Sequence, residues 1–204
     1  MWVVKLGGSL AGSNILSDWL ALLGRHGRGK VVVVPGGGAF AEAVRAAQRI
    51  HRFSDQTAHH LAILAMEQYA LMLRDMCPAL IPARTVGSIH DVLGSDGLPV
   101  WMPSRMLADA RGVPESWNVT SDSLAAWLAK HLGADRLVLV KACEVPCNDI
   151  NIMAETGIVD AGFSDFVRGA DFESLVINRG DLDVIEALLS GARCRGAMPL
   201  GAHG

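Results

Sequence analysis

Short, nearly unbroken apolar runs alternate along this chain with longer segments in which apolar residues recur every three to four positions. The runs at Trp2–Leu6, Val31–Val34, Ala79–Pro82, Pro99–Met102, Leu137–Val140, Leu175–Asn178 and Cys194–Met198 read as strands. They lack polar alternation, which is the pattern of strands covered on both faces in a mainly parallel sheet. Between them, Ile15–Arg25, Phe40–Ile50, Asp55–Asp75, Ser121–Leu132 and Leu182–Leu189 carry helical spacing, with Ser54 placed as an N-cap and Gly133 as a stop. Strands alternating with helices predict an α/β protein, and sheets of this type bind ligands beyond the carboxyl ends of their strands.

Two strand exits are rich in glycine: Lys5-Leu6-Gly7-Gly8-Ser9 and Pro35-Gly36-Gly37-Gly38. Glycine lets a backbone approach a ligand closely, and the first N–H groups of a following helix favour anions. Two such loops, one bearing a lysine, suggest two strand ends facing one polyphosphate. Lysine is otherwise scarce, at Lys5, Lys30, Lys130 and Lys141 only. Lys5 and Lys141 each lie at the end of an apolar strand, where a lysine either snorkels to water or meets an anion. Neither glycine loop matches a P-loop or a dinucleotide fingerprint.

Composition narrows the partners. The 204 residues suffice for one domain, half are apolar, 19% are charged, and the formal net charge is −3. That balance gives no reason to expect nucleic acid or an anionic membrane as partner. With no basic leader and no apolar segment of membrane-spanning length, a cytoplasmic location is expected. Cys77, Cys143, Cys147 and Cys194 show no paired zinc spacing and read as reduced thiols. His59 and His60 project about 100° apart on a helix, so they too give no metal site.

Thr120-Ser121-Asp122 opens a helix. Asp122 in its first turn can be a stabilising cap or can reach the sheet-end cleft to orient lysines or a magnesium-bound phosphate; the residue types fit both. Asp55 opens another helix beside Arg49 and Arg52. No obvious general base is present. A carboxylate or phosphate acceptor needs none, because it is already ionised, and catalysis then reduces to positioning and charge neutralisation.

Taken in order, Lys5-Leu6-Gly7-Gly8-Ser9, Pro35-Gly36-Gly37-Gly38, Thr120-Ser121-Asp122-Ser123-Leu124-Ala125-Ala126, the strand ending in Lys141, and Val176-Ile177-Asn178-Arg179-Gly180 resemble the amino acid kinase family. The resemblance implies a three-layer αβα sandwich around a mainly parallel sheet of about eight strands. It also implies one domain over residues 1–204, with an acceptor half at 1–115 and a nucleotide half at 116–204. By position, Lys5 and Asp122 would be catalytic, with Gly7, Gly8, Ser9, Lys141 and Arg168 on the phosphates of the nucleotide. Gly36, Gly37, Gly38, Arg52, Asp55 and Thr120 would hold the acceptor, while ATP and Mg²⁺ would be required and a homodimer or higher homo-oligomer expected.

Ser54–His59, Ala62–Tyr69 and Trp117 are most similar to a small branch containing the aminomethylfuranmethanol phosphate kinase of methanofuran biosynthesis. That branch implies a phosphorylated acceptor, with Asp55 meeting an aminomethyl cation and Arg49 or Arg52 the acceptor phosphate. Uridylate or isopentenyl phosphate kinase activity is the alternative within the family. Residues 150–172 contain no lysine, and Arg168 is their only basic group, which also leaves open a non-enzymatic nucleotide or oxoanion binder. A purely structural subunit would not need both glycine loops.

Overall fold

The computed structural model describes residues 1–108, 110–145 and 149–191. Its centre is a six-stranded sheet in which every pairing is parallel, in the order β3-β4-β2-β1-β5-β6. The strands are β1 (Trp2–Leu6), β2 (Val31–Pro35), β3 (Leu80–Ala83), β4 (Leu98–Trp101), β5 (Arg136–Lys141) and β6 (Glu173–Asn178). The helices are α1 (Ile15–His26), α2 (Gly38–His51), α3 (Asp55–Met76), α4 (Val86–Gly94), α5 (Ser104–Leu107), α6 (Ser121–Leu132), α7 (Ile150–Glu155), α8 (Phe163–Val167) and α9 (Leu182–Leu189), with a 3-10 turn at Gly8–Gly12. Among the described residues the sheet has six strands, against the eight or so expected. The described residues between β4 and α6 and between β5 and β6 fold into short helices and turns instead, and the strand expected at Cys194–Met198 lies outside the described residues.

The apolar runs are buried on both faces because successive side chains of a strand point to opposite sides. Val3, Val32, Val34, Leu137 and Leu139 enter one core with α6 and α8, while Val4, Leu6, Val31, Val33, Val138 and Val140 enter a second with α1 and α9. This parity decides where the lysines go. Lys5 shares the face of Val3, and Lys141 that of Leu137 and Leu139, so both emerge beneath α6. Register aligns Lys5 with Leu139 and Leu6 with Val140 across β1 and β5, leaving Lys141 one position beyond the paired residues of β1.

Strand order reverses around β1, which sends the chain to β2 on one side and receives β5 on the other. The crevice at such a switch point is where open α/β sheets bind ligands. Among the described residues, no helix is long and apolar enough to cross a membrane.

Candidate active site

The glycine loops continue the sheet before they leave it: Gly7 N–H donates to Val140 O at 3.3 Å and Gly36 N–H to Leu6 O at 2.9 Å. Beyond that point they touch. A Cβ added to Gly8 would lie 2.3 Å from the Gly38 nitrogen, and one added to Gly36 would lie 2.4 Å from the Gly8 nitrogen. Gly38 also holds φ at 54°, a left-handed conformation that glycine adopts without a Cβ clash. Hence the loops, 30 residues apart in sequence, form one backbone surface.

Three helical N-termini converge on it. Gly8 and Ser9 of the 3-10 turn, Gly37 and Gly38 at the start of α2, and Thr120 and Ser121 at the start of α6 line one cavity of about 340 Å³. The first N–H groups of a helix have no intrahelical acceptor and carry its positive dipole end, so the part of this wall formed by the two glycine loops is suited to anions. The remaining wall is apolar, with Ile63, Met66, Val119 and Leu124, and the lining also includes Glu42, Arg45, His59 and Trp117.

Trp117 is held firmly. Its Nε1–H donates to Gln48 Oε1 at 2.7 Å, and Gln48 Nε2 donates in turn to Asp55 Oδ1 at 2.8 Å. The Arg45 guanidinium lies over the indole, 3.7 Å from the ring centroid, and within 3.6 Å of Glu42. His59 is buried at the α3 end of the cavity, and burial lowers its pKa against the upward pull of Glu115.

At the strand ends, Asp122 joins both lysines. Lys5 Nζ lies 2.7 Å from its Oδ1, and Lys141 Nζ donates to its Oδ2 at 2.5 Å. Asp122 is 3% exposed and Lys5 4%. Burial pushes the Asp122 carboxyl up, but the charges of Lys5 and Lys141 outweigh it and hold the pKa down at about 2. The carboxylate is therefore ionised at neutral pH. Burial, and after it the Lys5 charge, hold Lys141 below its ordinary pKa against the upward pull of Asp122 and Asp160. Two lysines around one carboxylate, Lys5 and Asp122 buried and Lys141 partly so, carry one net positive charge at the end of the sheet where the glycine loops turn.

Several expected residues stand elsewhere. Arg168 is exposed and pairs with Asp165 at 3.3 Å, while its carbonyl accepts from Lys130 Nζ. Lys130 is eight residues beyond Asp122 on α6, about 12 Å along the axis, so Arg168 belongs to the far end of that helix, away from the lysine pair. Arg179 stands nearer, since its N–H donates to the Lys141 carbonyl at 2.7 Å. Arg52 is the left-handed C-cap of α2 and exposed, and neither it nor Arg49 lines the cavity. Asp55 is likewise outside the lining, its carboxylate engaged by Gln48.

Thr120 does line the cavity, yet its side chain makes no cap bond to its own helix. Both its N–H and its hydroxyl donate to Asp160, at 2.9 and 2.8 Å. Sequence reasoning also missed Glu42, Arg45 and Asp160. The first two sit at three-residue spacing on α2 after the second glycine loop, a signal that was available; Asp160 lies 40 residues from its partner and gave none.

Fold and site together define an αβα protein with an anion cradle at its strand ends. The chain belongs to the amino acid kinase family, whose model matches residues 1–144. It is similar to the 5-(aminomethyl)furan-3-yl methyl phosphate kinase of Methanocaldococcus jannaschii, with 27% identity over 143 residues that cover 68% of this chain and 64% of that relative. The match thus spans slightly under two thirds of the relative's length. Among solved structures, uridylate kinase from Archaeoglobus fulgidus superposes with a TM-score of 0.70 at 17% identity, covering 94% of this chain and 96% of that one. UMP kinase from Ureaplasma parvum gives 0.71 at 14% identity, covering 94% and 92%. At these identities the two structures establish the shared fold.

Proposed function

We propose that the protein is a phosphotransferase that moves the γ-phosphoryl group of ATP onto an acceptor held in the Gly8–Gly38–Thr120 cavity. The acceptor is a phosphate monoester of the aminomethylfuran type. The observation that carries this reading is the buried Lys5–Asp122–Lys141 cluster at the same strand ends as the glycine cradle. An oxygen of the acceptor phosphate would form the new bond to the γ-phosphorus as the bond to the β-bridging oxygen breaks, and ADP leaves with that electron pair. No proton need be removed from the acceptor. Lys5 and Lys141 would neutralise charge on the transferring group, the preorganised electrostatic help such a reaction requires.

The acceptor's chemistry matches the cavity. The N–H groups of the two glycine loops suit its phosphate, Trp117 and the apolar wall suit a flat ring, and Glu42 offers a carboxylate to an ammonium. The donor set at the strand ends also fits the polyphosphate of ATP. No group of three His, Cys, Asp or Glu side chains that could hold a metal occurs among the described residues. Magnesium would accordingly be carried chiefly by the nucleotide phosphates, adding positive charge to them.

The test is incubation of the purified protein with ATP, magnesium and the aminomethylfuranmethyl phosphate, following ADP and the diphosphate product by ³¹P NMR. UMP and isopentenyl phosphate serve as competing acceptors. Preferred turnover of one of those two would move the acceptor assignment. Calorimetric ATP binding without turnover on any acceptor would establish a binder and overturn the kinase reading.

A further inference from the structure

Asp122 can bridge two lysines only if α6 is held at the right height and rotation above β1 and β5. The structure supplies that hold from outside the helix. Asp160, in the segment between α7 and α8, accepts from four donors at the start of α6: Thr120 N–H at 2.9 Å, Thr120 Oγ1–H at 2.8 Å, Ser123 N–H at 3.1 Å, and the Ser123 hydroxyl. Those donors flank Asp122 on both sides in sequence.

Asp160 itself is fixed independently. Gly162 N–H donates to Asn118 O at 2.7 Å, and a Cβ on Gly162 would meet that oxygen at 2.8 Å, so this approach tolerates no larger residue. Phe163 next to it is fully buried in the core beneath α6. The carboxylate also occupies the positive end of the helix, where a negative charge is stabilised. It is near enough to Lys141 to favour that lysine's charged form.

We propose that Asp160 is a positioning residue for the transfer reaction: by capping α6 from the segment between α7 and α8, it sets the placement of Asp122 between Lys5 and Lys141. This inference rests on the proposed kinase reading for its kinetic readout, but not for its structural one. A residue that merely caps a helix would lose stability when changed and nothing else. Asp160→Asn keeps the size of the side chain and one accepting oxygen while removing the charge and turning the second oxygen into a donor facing donors.

The experiment compares wild type, Asp160→Asn, Ser123→Ala and Thr85→Ala. Thr85 caps α4 through its own capping box and serves as a control for cap loss alone. In Asp160→Asn, kcat should fall at least tenfold while KM for ATP and for the acceptor stays within threefold. Ser123→Ala, which removes one contact, should show a smaller loss in the same direction. It keeps the inference testable if Asp160→Asn fails to fold.

The second readout is NMR of lysine side chains labelled with ¹³C at Cε. Only four lysines exist, so Lys5 and Lys141 can be assigned by single substitutions to arginine. Both signals should shift in Asp160→Asn and stay in place in Thr85→Ala. Loss of melting temperature alone, with kcat and both lysine signals unchanged, would overturn the proposal. If the wild type turns over no acceptor, the kinase reading falls, and the lysine signals still decide the role of Asp160.

Discussion

Substituting Asp122 by asparagine tests the charge balance on which the site rests. The carboxyl is fully buried, and its pKa stands at about 2 against an ordinary 3.8 because two lysines outweigh the cost of burial. A depressed carboxylate contributes stability that is fully present above its unfolded pKa and is lost as pH falls through the folded one. A shift of nearly two units corresponds to about 2 kcal/mol at neutral pH. For a chain of this size that is about 4–8 °C in melting temperature. The assay is urea denaturation of wild type and Asp122→Asn from pH 6 down to pH 3. The stability gap between the two should be constant down to about pH 5, then narrow below pH 4 as the carboxyl protonates in the unfolded chain while the folded one stays ionised. A gap that widens as pH falls from 6 to 5 would refute the reasoning, because a carboxyl whose pKa is set by burial, not the lysines, gains stability when it takes up a proton. A gap unchanged at pH 3 would show that Asp122 contributes no linked charge at all.

Lys5→Ala removes one of two buried cations from the transferring group and should lower kcat about 10²–10³-fold, with ATP affinity by calorimetry changed far less. Gly8→Ala drives a methyl against the Gly38 backbone, which cannot step aside as a flexible side chain would. It should cost about 1–3 kcal/mol in a denaturant melt and part the two loops, seen as a kcat loss exceeding tenfold. Gln48→Ala frees Trp117 from its hydrogen bond and should raise KM for the acceptor several-fold while leaving KM for ATP unchanged. Arg168→Ala, at the far end of α6, should leave KM for ATP within twofold and stability within about 0.5 kcal/mol.

What could be seen in the chain beforehand follows from which forces are local. Strands buried on both faces announce themselves as apolar runs, so Trp2–Leu6 matches β1 in full and Val31–Val34 matches β2 to one residue. Ser54 caps α3 by accepting from Thr57 N–H, a contact within one turn. The short helix α4 does not show in the sequence, because Gly94, Ser95 and Gly97 give its end the composition of a loop, although Thr85 and Ser88 form a capping box. In sequence, Arg168 stands out as the one basic residue of 150–172, and Arg52 and Asp55 as charges where one helix ends and the next begins. Proximity along the chain does not fix direction: Arg168 ends beside Lys130, and Asp55 turns to Gln48.

Asp122 shows the limit most sharply. An aspartate in a first helical turn has the same local signature whether it complements the helix dipole or bridges two lysines. The distinction lies in parity and register: Lys5 and Lys141 must point to the same face of adjacent parallel strands, and α6 must start above them. Once those conditions hold, the dipole's need for a negative group at the start of α6 is met by Asp160, forty residues past Thr120. The capping role open to Asp122 thus passes to a carboxylate from the segment between α7 and α8, and Asp122 is left to hold the two lysines. The glycine loops could be recognised alone because backbone contact demands glycine at each position separately; the charge cluster could not, because no one of its members requires the others until the sheet is assembled.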